Sequence, residues 1–333
     1  MTGTLLPSAP AELRYQLAYG VDAPPSPNTR RLTEFLTQVF GPATVAIIHY
    51  GSHAQRSDAK PESAHDFFVI VEGYLEAYQS LASAVGTSFW PTTAAALNHV
   101  LPPNVVSVRM RQPPPPLHAK CAVYSLADLQ WATSSRARDH FALGRLFQQV
   151  QLVWTRDTAS REAVLDCLVA ARVNTFRWGR PYLPAHFDAE SYCRTLLETS
   201  YGAEIRPEGS DRVAVLLEAQ RDVLTHVYDS LLQHLASRKV LSEERKVYTD
   251  LHPPGTLERL ATDVYFRVSK VRATARWMKY ISLYDDWLDY IVQKIARRSG
   301  MSVELTARER RWPLIFLWPK AIQYLRTRPQ RRP

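Results

Sequence analysis

The sequence predicts an α+β protein, with strands and helices mixed in its first half and helices dominating the remainder. Apolar runs rich in β-branched and aromatic residues, typical of buried strands, occupy 45–48, 67–71, 104–111 and 118–124. Apolar residues at helical spacing occupy 29–40, 74–84, 126–150, most of 151–240, and 257–298. Strand patterns that stop before residue 150 therefore indicate a sheet-containing domain followed by a helical one.

The length of 333 residues allows more than one hydrophobic core, and 46% hydrophobic with 22% charged residues is ordinary for a soluble globular protein. We predict a flexible, proline-rich N-terminal arm (1–28) and an α+β domain (29–150). A helical domain (151–247) and a helical, basic C-terminal extension (248–333) follow.

The first helical pattern, 29–40, ends at Gly41 and Pro42, a pair that stops helices. A second helix is expected at 74–84. A run of four prolines at 113–116 predicts extended backbone between the last two strands of the sheet-containing domain.

Helices dominate the chain from residue 126 onward. Ser125 is a predicted N-cap, with Asp128 at the third helical position in a capping-box arrangement. The helical pattern is interrupted at 178–184 and 206–209, and 248–255 contains two prolines and a glycine. We expect the last of these segments to be a linker.

Cysteine usage and the first residues of the chain bear on the cellular compartment. Cys121, Cys167 and Cys193 are widely spaced and form no zinc pattern, which favours a reducing compartment. Residues 1–25 lack the apolar core of a secretory signal, and no window holds 18 uninterrupted apolar residues. We therefore expect a cytoplasmic protein without a transmembrane helix.

The net charge of +9 is concentrated at the C-terminal end. Eleven Lys or Arg and two Glu lie between Ile291 and Pro333, so the rest of the chain is balanced. Such a basic tail favours a polyanionic surface, either nucleic acid or anionic lipid. Trp312, Phe316 and Trp318 lie in a short apolar stretch between arginines, which suits an interfacial helix on an anionic leaflet. A C-terminal helix packed on the protein core fits the same pattern.

The motif with chemical content begins where the first strand pattern ends, at Gly51 and Ser52. Gly51 lacks a Cβ, so its backbone can approach a phosphate closely, and the Ser52 hydroxyl can donate a hydrogen bond to phosphate oxygens. Asp66 opens the next strand after thirteen intervening residues and is placed to hold Mg²⁺ beside those phosphates. Asp58, in the intervening loop, is a candidate for a second metal ligand.

This layout resembles the start of nucleotidyltransferases of the DNA polymerase β superfamily. Their pattern is a Gly-Ser turn, a loop, and then Asp, a hydrophobic residue and a second carboxylate. Phe68 occupies the position of the second carboxylate in this chain. Two ordinary core strands joined by a loop would give the same local pattern.

Three further segments resemble one family within that superfamily. Residues 118–125 resemble its Lys-Tyr-Gly-Val-Val-Ser strand, 141–150 its Tyr-x-Ala-Gly-Arg-Leu-x-Lys-Pro-Val, and 200–206 its Ser-Tyr-x-Gly-Asp-x-Arg. The family is the mitochondrial-type CDP-diacylglycerol synthases, the phosphatidate cytidylyltransferases of the mitochondrial translocator-maintenance group, which has bacterial relatives. Cys121 and Ala122 depart from the family's Tyr-Gly, and His53 stands where the family has glycine.

The resemblance implies a nucleotidyltransferase domain with a mixed sheet, followed by a helical domain of winged-helix type. It also implies Mg²⁺-dependent transfer of CMP from CTP to phosphatidate on an anionic membrane surface, at the inner face of the cell membrane and without nucleic acid. The roles it implies are the following: Asp66 binds metal, Tyr50, Gly51 and Ser52 bind nucleotide, Lys120 binds phosphate and contributes to catalysis, and Arg145 and Arg206 bind the lipid phosphate.

Two other functions fit the same residues. One is a nucleotidyltransferase that acts on nucleic acid or on a small polar acceptor. The other is a non-catalytic module that binds nucleic acid through its basic tail. The sequence leaves the oligomeric state open.

Overall fold

A five-stranded sheet lies at the centre of the fold. The structure is a computed structural model, and the residues it describes are 10–55, 63–86, 90–202, 210–283, 306 and 308–309. Contacts divide the chain into two compact units, Met1–Trp277 and Met278–Pro333. The domain boundaries predicted after residues 150 and 247 both fall inside the first unit. The predicted sheet-containing and helical domains are therefore parts of one compact unit.

The sheet is mixed. Its strands are β1 (Thr44–Tyr50), β2 (His65–Val71), β3 (Asn104–Met110), β4 (Leu117–Ser125) and β5 (Gln151–Thr155). Their order is β3-β4-β2-β1-β5, with β2 and β4 parallel and the other neighbouring pairs antiparallel. The predicted α+β class and the mixed sheet are therefore confirmed. The predicted end of the sheet-containing segment at residue 150 is wrong, because β5 pairs along β1 as far as Thr155.

Helices surround the sheet and make up most of the rest of the described chain. They are α1 (Ala11–Leu17), α2 (Pro27–Phe40), α3 (Ser52–Gln55), α4 (Tyr74–Val85), α5 (Pro91–Val100), α6 (Leu126–Thr133), α7 (Leu143–Leu146), α8 (Thr158–Val173), α9 (Thr175–Gly179), α10 (Ala189–Gly202), α11 (Ser210–Ala219), α12 (Arg221–Ser237) and α13 (Thr256–Leu283). Within the described residues, none of them combines the length and apolar character needed to cross a membrane.

Both faces of the sheet are covered, so β2 is buried throughout from Phe67 to Val71. Helix α2 packs on the face that carries His65, where the Thr29 hydroxyl lies 3.5 Å from His65 Nδ1. The opposite face carries Phe68 and Tyr124, which belong to one core with α6, α7 and α8. Because residues alternate between faces along a strand, Asp66 lies on the same face as Phe68.

The N-terminal residues differ from the expected flexible arm. Helix α1 buries Leu17, and Val21 beyond it is fully buried and accepts a hydrogen bond from the Leu152 amide at 2.9 Å. Arg14 forms ion pairs with Glu162 at 2.7 Å and Asp166 at 2.8 Å. Burial of apolar side chains orders the described part of this segment, residues 10–26, in spite of its prolines.

A hairpin follows the helices of the second half. Strand β6 (Leu241–Glu244) pairs with β7 (Val247–Asp250), so the predicted linker at 248–255 begins as a strand. Phe187, which precedes α10, exchanges two backbone hydrogen bonds with Tyr248, at 2.7 and 3.1 Å. Arg180 holds the end of β7 through a paired contact with Asp250, at 2.5 and 2.7 Å.

Candidate functional site

Gly51 and Asp66 lie against each other where β1 ends and β2 begins. Asp66 pairs with Tyr50 across the two strands, so the turn that follows Tyr50 passes directly over the carboxylate. Gly51 has φ +78°, and a Cβ at this position would lie 2.9 Å from Asp66 Oδ2. Glycine is required here both for the left-handed backbone and for the close approach to the carboxylate.

Lys120 is the nearest basic residue of the sheet to Asp66. The two residues are register partners on the parallel strands β2 and β4, so their side chains leave the same face of the sheet. Ser107 on β3 continues this row on the far side of Lys120. Asp66 is half-buried and Lys120 is exposed, which places the carboxylate at the inner end of a row that opens to solvent.

Arg145 approaches the same carboxylate from α7. Its Nη1 donates a hydrogen bond to the Phe141 carbonyl at 2.9 Å, and its guanidinium carbon lies 4.1 Å from the Phe141 ring centroid. Burial raises the pKa of Asp66 above its ordinary value, while the charges of Lys120 and Arg145 lower it in part. The structure thus surrounds a partly desolvated carboxylate with two cations.

Tyr50 completes the group of predicted site residues around Asp66. Burial and the Asp66 charge raise the pKa of the Tyr50 hydroxyl, and Arg145 opposes this through its charge and a hydrogen bond. Ser52 is half-buried and opens the one-turn helix α3, whose amides at Ala54 and Gln55 donate to the Gly51 carbonyl at 2.9 and 3.1 Å. Tyr50, Gly51, Ser52, Asp66, Lys120 and Arg145 are therefore brought to one end of the sheet.

The remaining predicted site residues lie outside the described residues. These are Arg206, Asp58, Trp312, Phe316 and Trp318. Their assignments stay predictions, and so does the interfacial role of the C-terminal stretch.

Three histidines form a stack that sequence reasoning did not predict. The His53 and His65 rings lie 3.8 Å apart at an interplanar angle of 9°, and His65 Nδ1 lies 3.3 Å from His49 Nε2. Burial lowers the pKa of His49 to about 4 and that of His65 to about 3, so both are neutral at pH 7. The sequence signal that could have found them is their position. His49 directly precedes Tyr50, and His65 directly precedes Asp66, and both of these neighbours are predicted site residues.

The donor set bears on the metal that the site could hold. Among the described residues, no group of three or more His, Cys, Asp or Glu side chains is arranged to bind a metal ion. Mg²⁺ in nucleotide enzymes is commonly held by one or two carboxylates together with substrate phosphates. The single carboxylate of Asp66 therefore fits a magnesium ion that arrives with a nucleotide, and does not fit a metal site built from protein ligands alone.

The sequence was also compared with known proteins. No family model matches the chain, and no curated protein matches it significantly.

Proposed function

We propose that this protein is a CTP:phosphatidate cytidylyltransferase, in which the phosphate of phosphatidate attacks the α-phosphate of CTP to give CDP-diacylglycerol and pyrophosphate. The observation that carries the proposal is the contact between Gly51 and Asp66, at which a Cβ would lie 2.9 Å from the carboxylate. A backbone turn without a side chain can pass directly over a carboxylate, so a phosphate chain bound along the turn would lie next to the proposed metal ligand.

Among the described residues the site holds one carboxylate, Asp66, and a site of this kind supports a phosphate acceptor. A polymerase must remove a proton from a hydroxyl nucleophile, whereas a phosphate monoester has a second pKa near 6 and is already ionised at neutral pH. Such a nucleophile needs no general base. It needs cations, because two negatively charged reactants must be held together while charge develops at the transferred phosphoryl group. Lys120 and Arg145 supply two such charges beside Asp66.

The roles of the residues follow from their positions. Asp66 would hold the magnesium ion, which neutralises charge on the triphosphate when it is bound. Gly51 and Ser52 would lie along the triphosphate. Tyr50 would hold Arg145 in place through the hydrogen bond between its hydroxyl and the guanidinium. Lys120 would stabilise negative charge on the phosphates from the exposed side of the site.

We further propose that the sheet-containing part has the nucleotidyltransferase fold, and that the helices beyond it form a winged-helix domain. The order of α10, α11 and α12 followed by the β6–β7 hairpin supports the second assignment, together with the backbone pairing of Phe187 with Tyr248. In this proposal the protein works at the inner face of the cell membrane, where phosphatidate resides, and needs no nucleic acid.

A panel of acceptors tests the proposal. Purified protein is incubated with Mg²⁺, labelled CTP and, in parallel, phosphatidate vesicles, RNA, or a sugar phosphate. Phosphatidate should be the acceptor that drives CTP consumption, with release of pyrophosphate. Consumption with RNA or a sugar phosphate alone would favour a nucleotidyltransferase of another specificity. Tight, salt-sensitive RNA binding without any turnover would favour a non-catalytic module.

A further inference from the structure

Arg276, on α13, is a buried arginine to which none of the sequence motifs assigned a role. Its side chain is 8% exposed. Nη2 lies 2.6 Å from Asp139 Oδ2, and Nε donates a hydrogen bond to the Pro102 carbonyl at 2.8 Å. Two of its three nitrogens therefore have partners in the core of the first unit.

The third nitrogen, Nη1, is buried and has no hydrogen-bond partner within the described part of the chain. A buried donor on a charged group is costly to leave without an acceptor, and hydrogen bonds that involve charged groups contribute more than neutral ones. A guanidinium offers five N–H groups in a planar arrangement that matches carboxylate and phosphate oxygens. Nη1 is thus chemically suited to an anionic ligand.

The position of Arg276 connects it to the site around Asp66. Its guanidinium carbon lies 5.2 Å from the Phe141 ring centroid, and that of Arg145 lies 4.1 Å from the same centroid. Burial raises the pKa of Tyr124; the charges of Arg276 and Arg145 lower it, and the charge of Asp139 opposes them. Arg145 therefore lies close to Asp66 and, across the Phe141 ring, close to Arg276, whose own charge is paired with Asp139.

We propose that Arg276 and Arg145 together bind the phosphomonoester group of the acceptor, next to the nucleotide site at Asp66. This inference rests on the proposed function, and it adds a residue of α13 to the site. Arg276 contributes its Nη1 to the phosphate while its other nitrogens fix the guanidinium against Asp139 and the Pro102 carbonyl. The acceptor phosphate then meets the nucleotide between two arginines rather than in open solvent.

The neighbouring Arg272 separates this role from simple anchoring of the helix. It lies one turn earlier on α13, and its Nε contacts the same Asp139 Oδ2 at 2.7 Å. Its side chain is 25% exposed, and the cation–π contacts with the Phe141 ring in the described part of the chain come from Arg145 and Arg276. Both arginines can hold α13 to Asp139, but Arg276 is the one beside Phe141 and Arg145.

The experiment compares Arg276→Lys with Arg272→Lys in the full-length protein. For Arg276→Lys we expect the KM for phosphatidate to rise about 10- to 100-fold, the loss expected for a hydrogen bond to a charged group, while the KM for CTP stays within about twofold. Arg272→Lys should leave both constants close to those of the unchanged protein. Equal effects of the two substitutions, or an equal rise in the KM for CTP, would overturn the proposal.

A second variant is needed if the buried lysine of Arg276→Lys prevents folding. Thermal melting of Arg276→Lys shows whether it does. Arg276→Gln buries no charge and should also weaken phosphatidate binding more than CTP binding. If Arg276→Gln binds phosphatidate as the unchanged protein does, the proposal is wrong.

A binding measurement separates failure of this inference from failure of the proposed function. Calorimetry with the soluble lipid dihexanoyl phosphatidate, and with dihexanoyl phosphatidylcholine as the control, requires no turnover. Binding of phosphatidate alone that Arg276→Lys weakens, in a protein that does not consume CTP, would support the phosphate site and refute the cytidylyltransferase. Turnover with an unchanged KM for phosphatidate in Arg276→Lys would support the cytidylyltransferase and refute the phosphate site at Arg276.

Discussion

At the scale of single residues, Gly51 carries two constraints that can be separated by experiment. Its φ of +78° is unfavourable for any residue with a side chain, and the space above it is taken by the Asp66 carboxylate. Gly86, at the end of α4, has φ +60° and nothing within 4 Å of the position of a Cβ. The two glycines therefore share the backbone requirement and differ in the contact.

We expect Gly51→Ala to reduce turnover at least tenfold, because the new methyl group must displace the Asp66 carboxylate. Gly86→Ala should cost a similar backbone strain of about 1 kcal/mol, with turnover close to that of the unchanged protein. Steady-state rates and the free energies of unfolding of both variants test this. Equal rates for Gly51→Ala and Gly86→Ala would show that the contact with Asp66 has no part in activity.

His140 offers a prediction about pH. It is buried, its Nε2 lies 3.1 Å from the Ser200 hydroxyl, and burial, with the nearby Arg145 charge, lowers its pKa to about 3. Asp139 beside it acts in the opposite direction. The folded protein therefore keeps His140 neutral well below the pH at which a histidine in the unfolded chain gains a proton, near 6.5.

Since the unfolded state binds this proton and the folded state does not, the free energy of unfolding should fall as the pH drops from 6.5 towards 3. One such group contributes a slope of about 1.4 kcal/mol per pH unit. In His140→Gln, which can still bond to Ser200, the slope between pH 6 and about 4.5 should be shallower by about that amount. Denaturant unfolding at several pH values measures it, and an unchanged slope would exclude His140 as a contributor.

Sequence reasoning found the candidate site residues of the strand motif and, through the family resemblance, Arg145 on α7, but it did not single out Arg276. Gly51 and Asp66 are recognisable because their spacing along the chain is short and the residue types are characteristic. Arg276 is 137 residues from Asp139, and no local pattern reports a contact over that distance. The stacking of His53 on His65 likewise depends on how the turn after β1 folds back over β2.

At the scale of elements, the start of α6 shows how a local signal fixes a boundary. The Ser125 hydroxyl accepts a hydrogen bond from the Asp128 amide at 3.1 Å and donates one to Asp128 Oδ2 at 3.0 Å. The Tyr74 hydroxyl donates to the same Asp128 oxygen at 2.6 Å, which ties α4 to α6. The predicted N-cap is confirmed.

We expect Ser125→Ala to lower the free energy of unfolding by about 1 kcal/mol, because the cap of α6 is lost. Ser237→Ala is the control: this exposed serine donates to the His234 carbonyl at the end of α12, and its loss should change stability by less than about 0.5 kcal/mol. Denaturant titration of both variants provides the comparison. Equal losses would mean that the cap contributes no more than an ordinary surface serine.

Several elements with a clear apolar periodicity were predicted, but not every element was. The pattern at 29–40 corresponds to α2, and that at 118–124 corresponds to β4. Helix α5 was missed, and so was β5, whose five residues lie at an edge of the sheet. An edge strand is defined by its pairing with β1, about 100 residues earlier, and not by an alternation of its own.

At the scale of the whole molecule, the sequence was sufficient for the α+β class but not for the boundaries between segments. Strands β1 to β4 followed from composition and spacing. The division at residue 150 was wrong because β5 returns to the sheet after the predicted end of the domain. The described part of the N-terminal segment is ordered because the side chains of Leu17 and Val21 are buried in the core. Its proline content had instead led to the prediction of a flexible arm.

The molecule as a whole is proposed to bring a lipid phosphate to a nucleotide held at Asp66. Replacing Asp66 with asparagine removes the carboxylate that the described part of the site contains while keeping the shape of the side chain. Because burial disfavours the charged form of Asp66, the substitution should leave the free energy of unfolding unchanged or slightly higher. When denaturant unfolding gives this result, loss of activity in the variant cannot be attributed to unfolding.

The most direct measurement is the conversion of CTP and phosphatidate by the purified full-length protein and by Asp66→Asn, with Mg²⁺ present and both products quantified by mass spectrometry. The unchanged protein should form CDP-diacylglycerol and pyrophosphate in equal amounts, and Asp66→Asn should form neither at a detectable rate. Equal product formation by the two proteins, or no CDP-diacylglycerol from the unchanged protein under conditions where it is folded, would contradict the assignment.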